Sequence, residues 1–110
     1  MNLEIILHAD GFANEKEFLE QEIAKNISQK LDSYILPHLS PENDNVRVEA
    51  FFVRARAGFD GKVILSLPGG VMVRTEREDF EKLDDLVRHL FDHIKTQLRN
   101  MNDMNDEKKS

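Results

Sequence analysis

The sequence predicts an α+β domain of order β-α-β-β-β-α, a four-stranded sheet with two helices packed on one face. Two long segments repeat their apolar residues at helical spacing. Four short segments alternate apolar and polar residues, the pattern of a sheet covered on one side only. A Pro-Gly-Gly turn joins the last two strands as a hairpin.

The first strand is LEIIL, Leu3–Leu7, with Leu3, Ile5 and Leu7 on one side. Asn14, with Glu17 three residues on, has the form of a capping box and opens the first helix. Leu19, Ile23, Ile27, Leu31 and Ile35 recur every four residues as its apolar stripe. The helix should end near Pro37, because proline disfavours helical geometry in the residue before it. After the polar loop SPENDN, the segment VRVEAFFVR (Val46–Arg54) puts Val48, Ala50 and Phe52 on one face and Arg47, Glu49 and Phe51 on the other. ARAGFDG reads as a flexible connection to KVILSL (Lys62–Leu67). LPGG then turns the chain into VMVRT (Val71–Thr75), proline pre-setting one turn position and glycine supplying positive φ. Asp79 is the expected N-cap of the last helix, whose stripe is Phe80, Leu83, Val87, Leu90, Ile94, Leu98 and Met101. The domain should therefore occupy residues 1–101, with 102–110 a polar, disordered tail.

At 110 residues the chain suits one domain with one core, burying roughly two thirds of its unfolded surface. Apolar residues make up 40% and charged residues 33%, a globular balance. There is no cysteine, which excludes disulfides, thiolate metal ligands and thiol catalysis. The N-terminal stretch lacks the basic leader of a signal peptide, and no segment reaches membrane-spanning length, so the expected location is cytoplasmic. Net charge is −6, and without the tail 18 acids face 13 bases, or −5. That acidic body opposes loose nucleic-acid binding but permits a local basic face.

Catalytic chemistry has little purchase here. His89 and His93, four apart in VRHLFDHIK, share a helix face as a metal pair would. The position after His89 is Leu90, where a helical zinc-protease motif needs glutamate, and nothing brings a third ligand near. No serine lies in a nucleophile elbow, and Gly69-Gly70 falls between two strands, not before a helix, so it is a turn and not a phosphate loop. The expectation is a non-enzyme with no metal, no cofactor and no small-molecule substrate.

The basic residues admit two readings. Arg88, Lys95 and Arg99 fall on one stripe of the last helix, away from its core stripe, with Asp92 among them. As helix-stabilising pairs, Arg88–Asp92 and Asp92–Lys95 would each contribute about 0.3 kcal/mol. As a phosphate-binding ridge, the stripe would be joined by Arg54, Arg56, Arg74 and Arg77 at strand and loop ends.

The second half, LSLPGGVMVRTEREDFEKLDDLVRHLFDHIKTQL, resembles the ribosome hibernation-promoting factor family, also called ribosome-associated inhibitors or sigma-modulation proteins, in its short form. The matching residues are Glu78-Asp79-Phe80, Leu83-Asp84, Leu86, Leu90 and Ile94, together with Lys30-Leu31-Asp32-Ser33-Tyr34 in the first helix. The resemblance implies a non-enzymatic binder of the small ribosomal subunit. Such a protein sits in the decoding channel, excludes messenger and transfer RNA, and silences translation in stress or stationary phase. On this reading Lys30, Arg54, Arg56, Arg74, Arg77, Arg88, Lys95 and Arg99 are the RNA-binding candidates. The chain departs from the family pattern at His89 and Thr96, where the family has lysine, and at Asp92, where it has arginine. The alternative is a diverged, acidic member acting as a protein-interaction module. Its surface would be Glu15, Glu17, Glu20 and Glu22 of the first helix, or the sheet face carrying Phe51, Val53 and Ile64. A homodimer through that open sheet face or a sheet edge is a further expectation.

Overall fold

The computed structural model describes residues 1–109, with side chains through Met104. Four strands, β1 (Asn2–His8), β2 (Asn45–Ala55), β3 (Gly58–Leu67) and β4 (Val71–Phe80), form one sheet in sequence order. β1 runs parallel to β2, from Asn2 opposite Asn45 to His8 opposite Phe51. The β2–β3 and β3–β4 pairs are antiparallel. The crossover from β1 to β2 holds helix α1 (Lys16–Lys25), a π-helical turn (Asn26–Lys30), helix α2 (Asp32–Ile35) and a short 3-10 turn (Leu36–His38). Helix α3 (Leu83–Lys109) packs against β3 and β4. The α+β architecture is the one the hydrophobic patterning predicts.

The first helical segment is broken where the sequence suggests a continuous helix. Its stripe explains why. At about 100° per residue, each step of four overshoots a full turn by about 40°, so five such positions on one α-helix would drift by about 160°. The wider π turn, closed by Leu31 N–H donating to Asn26 O at 3.0 Å, absorbs that drift. Leu19, Ile23, Ile27, Leu31 and Ile35 all stay fully buried as a result. Asn14 does not cap this segment: α1 starts at Lys16 behind Glu15, with no side-chain cap.

The core is completed from the sheet by Val46, Val48, Ala50, Phe52, Val63, Leu65 and Val73. α3 contributes Leu83, Leu86, Val87, Leu90, Phe91, Ile94 and Leu98. Thr75 is the buried polar residue here, and its hydroxyl lies 2.9 Å from His93 Nδ1.

Further boundaries differ from the sequence expectation. ARAGFDG is no flexible connection, because Gly58 to Gly61 already lie in β3. Both glycines are there for close approach. A Cβ on Gly58 would stand 2.0 Å from Phe80 O, and one on Gly61 would meet Leu90 and Phe52 side chains at 2.9 and 3.1 Å. Asp79 is not a helix cap. It lies in β4 with φ of 61°, beside a register irregularity between Phe59 and Gly61, and its N–H donates to Asp60 Oδ1 at 2.9 Å. Phe80 accordingly pairs with Phe59 in the sheet, and its ring packs against His89 with centroids 4.9 Å apart. At the other end of α3, Asn102 donates to Tyr34 O at 3.1 Å and its Oδ1 lies 2.8 Å from His38 Nε2, so packing reaches that residue. The side chains of 105–109, and all of Ser110, which the sequence assigns to a tail, fall outside the described part.

Candidate nucleic-acid interface

The helix side brings three lysines together. Lys25 ends α1, Lys30 ends the π turn, and Lys95 stands on α3. With Asn26 and Gln29 they line an open cleft of about 440 Å³. None of its lining side chains is a carboxylate. The Lys95 ammonium sits 5.9 Å above the Tyr34 ring. Lysines act on phosphate as mobile point charges, and the Gln29 side-chain amide can donate to phosphate or ribose oxygens, whereas Asn26 Nδ2 already donates to Glu22 O at 2.7 Å. The cleft has the chemistry of a backbone contact, and no aromatic side chain is among the residues that line it.

Asp92 borders this cleft and holds Lys30: Nζ lies 2.6 Å from Oδ1, with the lysine 23% and the aspartate 55% exposed. The two helix pairs expected for Asp92, with Arg88 and with Lys95, are absent among the described residues. Arg88 instead donates to Asp85 Oδ1 at 2.8 Å, one turn earlier. Arg99 is exposed and makes no ion pair among the described residues.

The remaining candidates do not join the cleft. Arg54 folds back over Phe12 and Phe59, at 4.5 and 5.5 Å from the ring centroids. It also donates to Gly11 O at 3.2 Å and Glu15 Oε1 at 3.0 Å. It is a clamp between β2 and the residues leading into α1. Arg74 points to the opposite side of the sheet and donates to Glu76 Oε1 at 2.7 Å. That hydrogen bond, and then the Arg74 charge itself, hold the Glu76 carboxyl below its ordinary range. Arg77 donates to Glu76 O at 2.7 Å, and Arg56 is exposed in the β2–β3 turn. The eight candidates are therefore spread over the helix side, the open sheet face and one sheet end.

The histidine pair of the last helix is engaged elsewhere, His89 against Phe80 and His93 with Thr75. Among the described residues no three His, Asp or Glu side chains gather as metal ligands, and no helix is long and apolar enough to cross a membrane.

Lys25, Asn26 and Gln29 line the cleft but are not among the candidates that the sequence singles out. Lys25 and Lys30 are five apart, a spacing that on an α-helix places two residues on different faces. The i to i+5 bonding of the π turn brings them to one cleft. The available signal was the stripe of strict four-residue period.

The open sheet face carries Ile6, Phe51, Val53, Ile64 and Met72, with Val53 59% and Met72 63% exposed. Its charges are mixed. Arg47 reaches Glu4, His8 meets Glu49, and Lys62 sits 4.5 Å over Phe51. His8 stacks on Phe51 at 4.4 Å with planes 9° apart.

No family model matches this chain, and no curated protein sequence matches it either. A solved structure does. The crystal structure of the Thermus thermophilus Protein Y N-terminal domain superposes with a TM-score of 0.68 at 19% identity, covering 92% of this chain and 99% of that one. The chain shares the fold of that domain, over nearly its whole length.

Proposed function

We propose that the protein is a non-catalytic RNA-binding factor of the small ribosomal subunit, which occupies the decoding channel, excludes messenger and transfer RNA, and so silences translation under stress. The observation that carries this reading is the cleft of Lys25, Asn26, Gln29, Lys30 and Lys95 between the helices, whose bordering carboxylate, Asp92, is paired with Lys30. Arg99 extends positive charge along α3 beyond Asp92, while Arg88 is paired with Asp85. Two further facts support it: the sequence resembles the hibernation-promoting factors, and the fold is that of the Protein Y N-terminal domain. A compact helix face with lysines and amides suits recognition of RNA by shape and phosphate rather than by base sequence. Residues 1 to about 102 would act as a single binding domain. In the test, small subunits carrying labelled messenger RNA are titrated with the protein. Release of the label in step with bound protein is expected, and full retention of the label at saturating protein would refute exclusion.

A second reading rests on the sheet. Its exposed Val53 and Met72, with Phe51 and Ile64 beside them, suit a protein partner. A pull-down that recovers a protein and no ribosomal subunits would favour it.

A further inference from the structure

The two edges of the sheet are treated differently. β4 is partly covered: Gln97 of α3 donates to Arg74 O at 3.0 Å, and the strand is distorted near Asp79. β1 has no such protection. Its register with β2 is unbroken over seven residues, and NLEIILH holds no proline, lysine or bulge to blunt the edge; its one carboxylate, Glu4, is paired with Arg47 of β2.

The pairing with β2 fixes which backbone groups face outward. Asn2 N–H donates to Asp44 O at 2.8 Å, on the β2 side. Alternation then turns the amides and carbonyls of Glu4, Ile6 and His8 toward β2, and those of Leu3, Ile5 and Leu7 away from it. Among the described residues these outward groups have no hydrogen-bond partner beyond the strand. The side chains of Leu3, Ile5 and Leu7 are only partly buried, at the fringe of the core.

We infer that β1 is a self-association edge, and that its occupant is β1 of a second copy, antiparallel about a two-fold axis at Ile5. In that register Leu3 faces Leu7 of the other copy, Ile5 faces Ile5, and Leu7 faces Leu3. All three are hydrogen-bonded pairs, so the outward amides and carbonyls of both strands are satisfied, and the three half-buried apolar side chains cover their counterparts. Glu4 comes opposite Ile6 of the other copy. Sliding by one pleat in one direction would set Glu4 against Glu4, a like-charge pair. Sliding the other way shortens the overlap and leaves Leu3 with no strand residue opposite. The symmetric register uses the whole strand. It makes one eight-stranded sheet and involves no residue of the lysine cleft. Edge pairing alone buries little surface, which places the dimer among weak, concentration-dependent associations.

The experiment is sedimentation of the full chain over a concentration series, with amide exchange on the same samples. The mass-average should rise from one chain toward two, while the amides of Leu3, Ile5 and Leu7 gain protection. Ile5→Lys and Ile5→Glu should each remain monomeric, because the substituted residue faces its own copy. Mixed one to one, they should recover the doubled mass through an opposite-charge pair at the axis. That recovery also shows that neither variant fails by misfolding. A chain that stays monomeric at the highest attainable concentration would overturn the inference. So would association that persists in Ile5→Lys alone, or a mixture that stays monomeric.

Discussion

Replacing Asp92 with asparagine removes the carboxylate that holds the Lys30 ammonium at 2.6 Å and keeps the side chain's size. The bridge is partly exposed on the Asp92 side, so its loss should lower folding stability by only about 0.2–1 kcal/mol. On RNA binding the effect runs the other way. Lys30 no longer exchanges one anionic partner for another, which restores a similar amount. A repelling charge also leaves the rim of the cleft; a unit charge about 6 Å from a phosphate in a water-like medium is worth ~0.7 kcal/mol. Together these give about 1–1.5 kcal/mol, or roughly five- to tenfold tighter binding at low salt. The plot of log affinity against log salt should steepen by about 0.7–0.9, one phosphate contact. Asp92→Arg should steepen it by about twice that. The assay is fluorescence anisotropy with labelled small-subunit RNA across a salt series. Combining Asp92→Asn with Lys30→Met should leave only the repulsion part of the gain. If Asp92→Asn changes neither affinity nor slope, Lys30 and Asp92 do not border an RNA contact and the placement of the site is wrong.

Lys25→Ala and Lys95→Ala should each weaken RNA binding and flatten the salt slope by about 0.7–0.9, with thermal stability within about 0.5 kcal/mol of the parent. The same assay with a melting curve checks both. Arg54→Ala should do the reverse, lowering stability through its lost packing on Phe12 and Phe59 while leaving the salt slope unchanged. Gly58→Ala drives a Cβ into Phe80 O and should cost at least about 2 kcal/mol in urea unfolding, since a backbone carbonyl has to move. For Glu76, whose carboxyl Arg74 holds below the ordinary value of 4.5, the Arg74 pair contributes stability above that value and loses it as pH falls through the lowered folded value. Arg74→Met should therefore flatten the acid limb of melting temperature against pH.

The patterning that made the fold legible was burial. Five apolar residues every four positions announced the first helical segment, and alternation about Ala50, Val63 and Val73 announced the sheet, because each is a direct consequence of one face meeting the core. Boundaries were harder where one signal served two geometries. Phe80 and Leu83 are three apart and read as one helical stripe, yet Phe80 closes a strand; periodicity cannot separate the last strand residue from a first helical turn. Asp79 suits a cap and suits positive φ equally well. Gly58 and Gly61 looked like flexibility and serve close packing. At the site, local spacing located Lys95 and Arg99 on one helix stripe. It could not show that Asp92 would reach across to Lys30, 62 residues away, nor that a π turn would bring Lys25 beside it. Arg54, a candidate RNA ligand by charge, also packs over Phe12, a contact that local spacing could not show because Phe12 is far away in sequence.

The central claim is that the lysine cleft binds ribosomal RNA on the small subunit. Its most direct test is sedimentation of the protein with purified small subunits at low and then moderate salt, beside the Lys25→Ala, Lys95→Ala double variant. The protein should pellet with subunits at low salt and be released progressively as salt rises, and the double variant should be released earlier. Protein that stays in the supernatant at low salt, or a double variant that pellets as well as the parent throughout, would contradict the account.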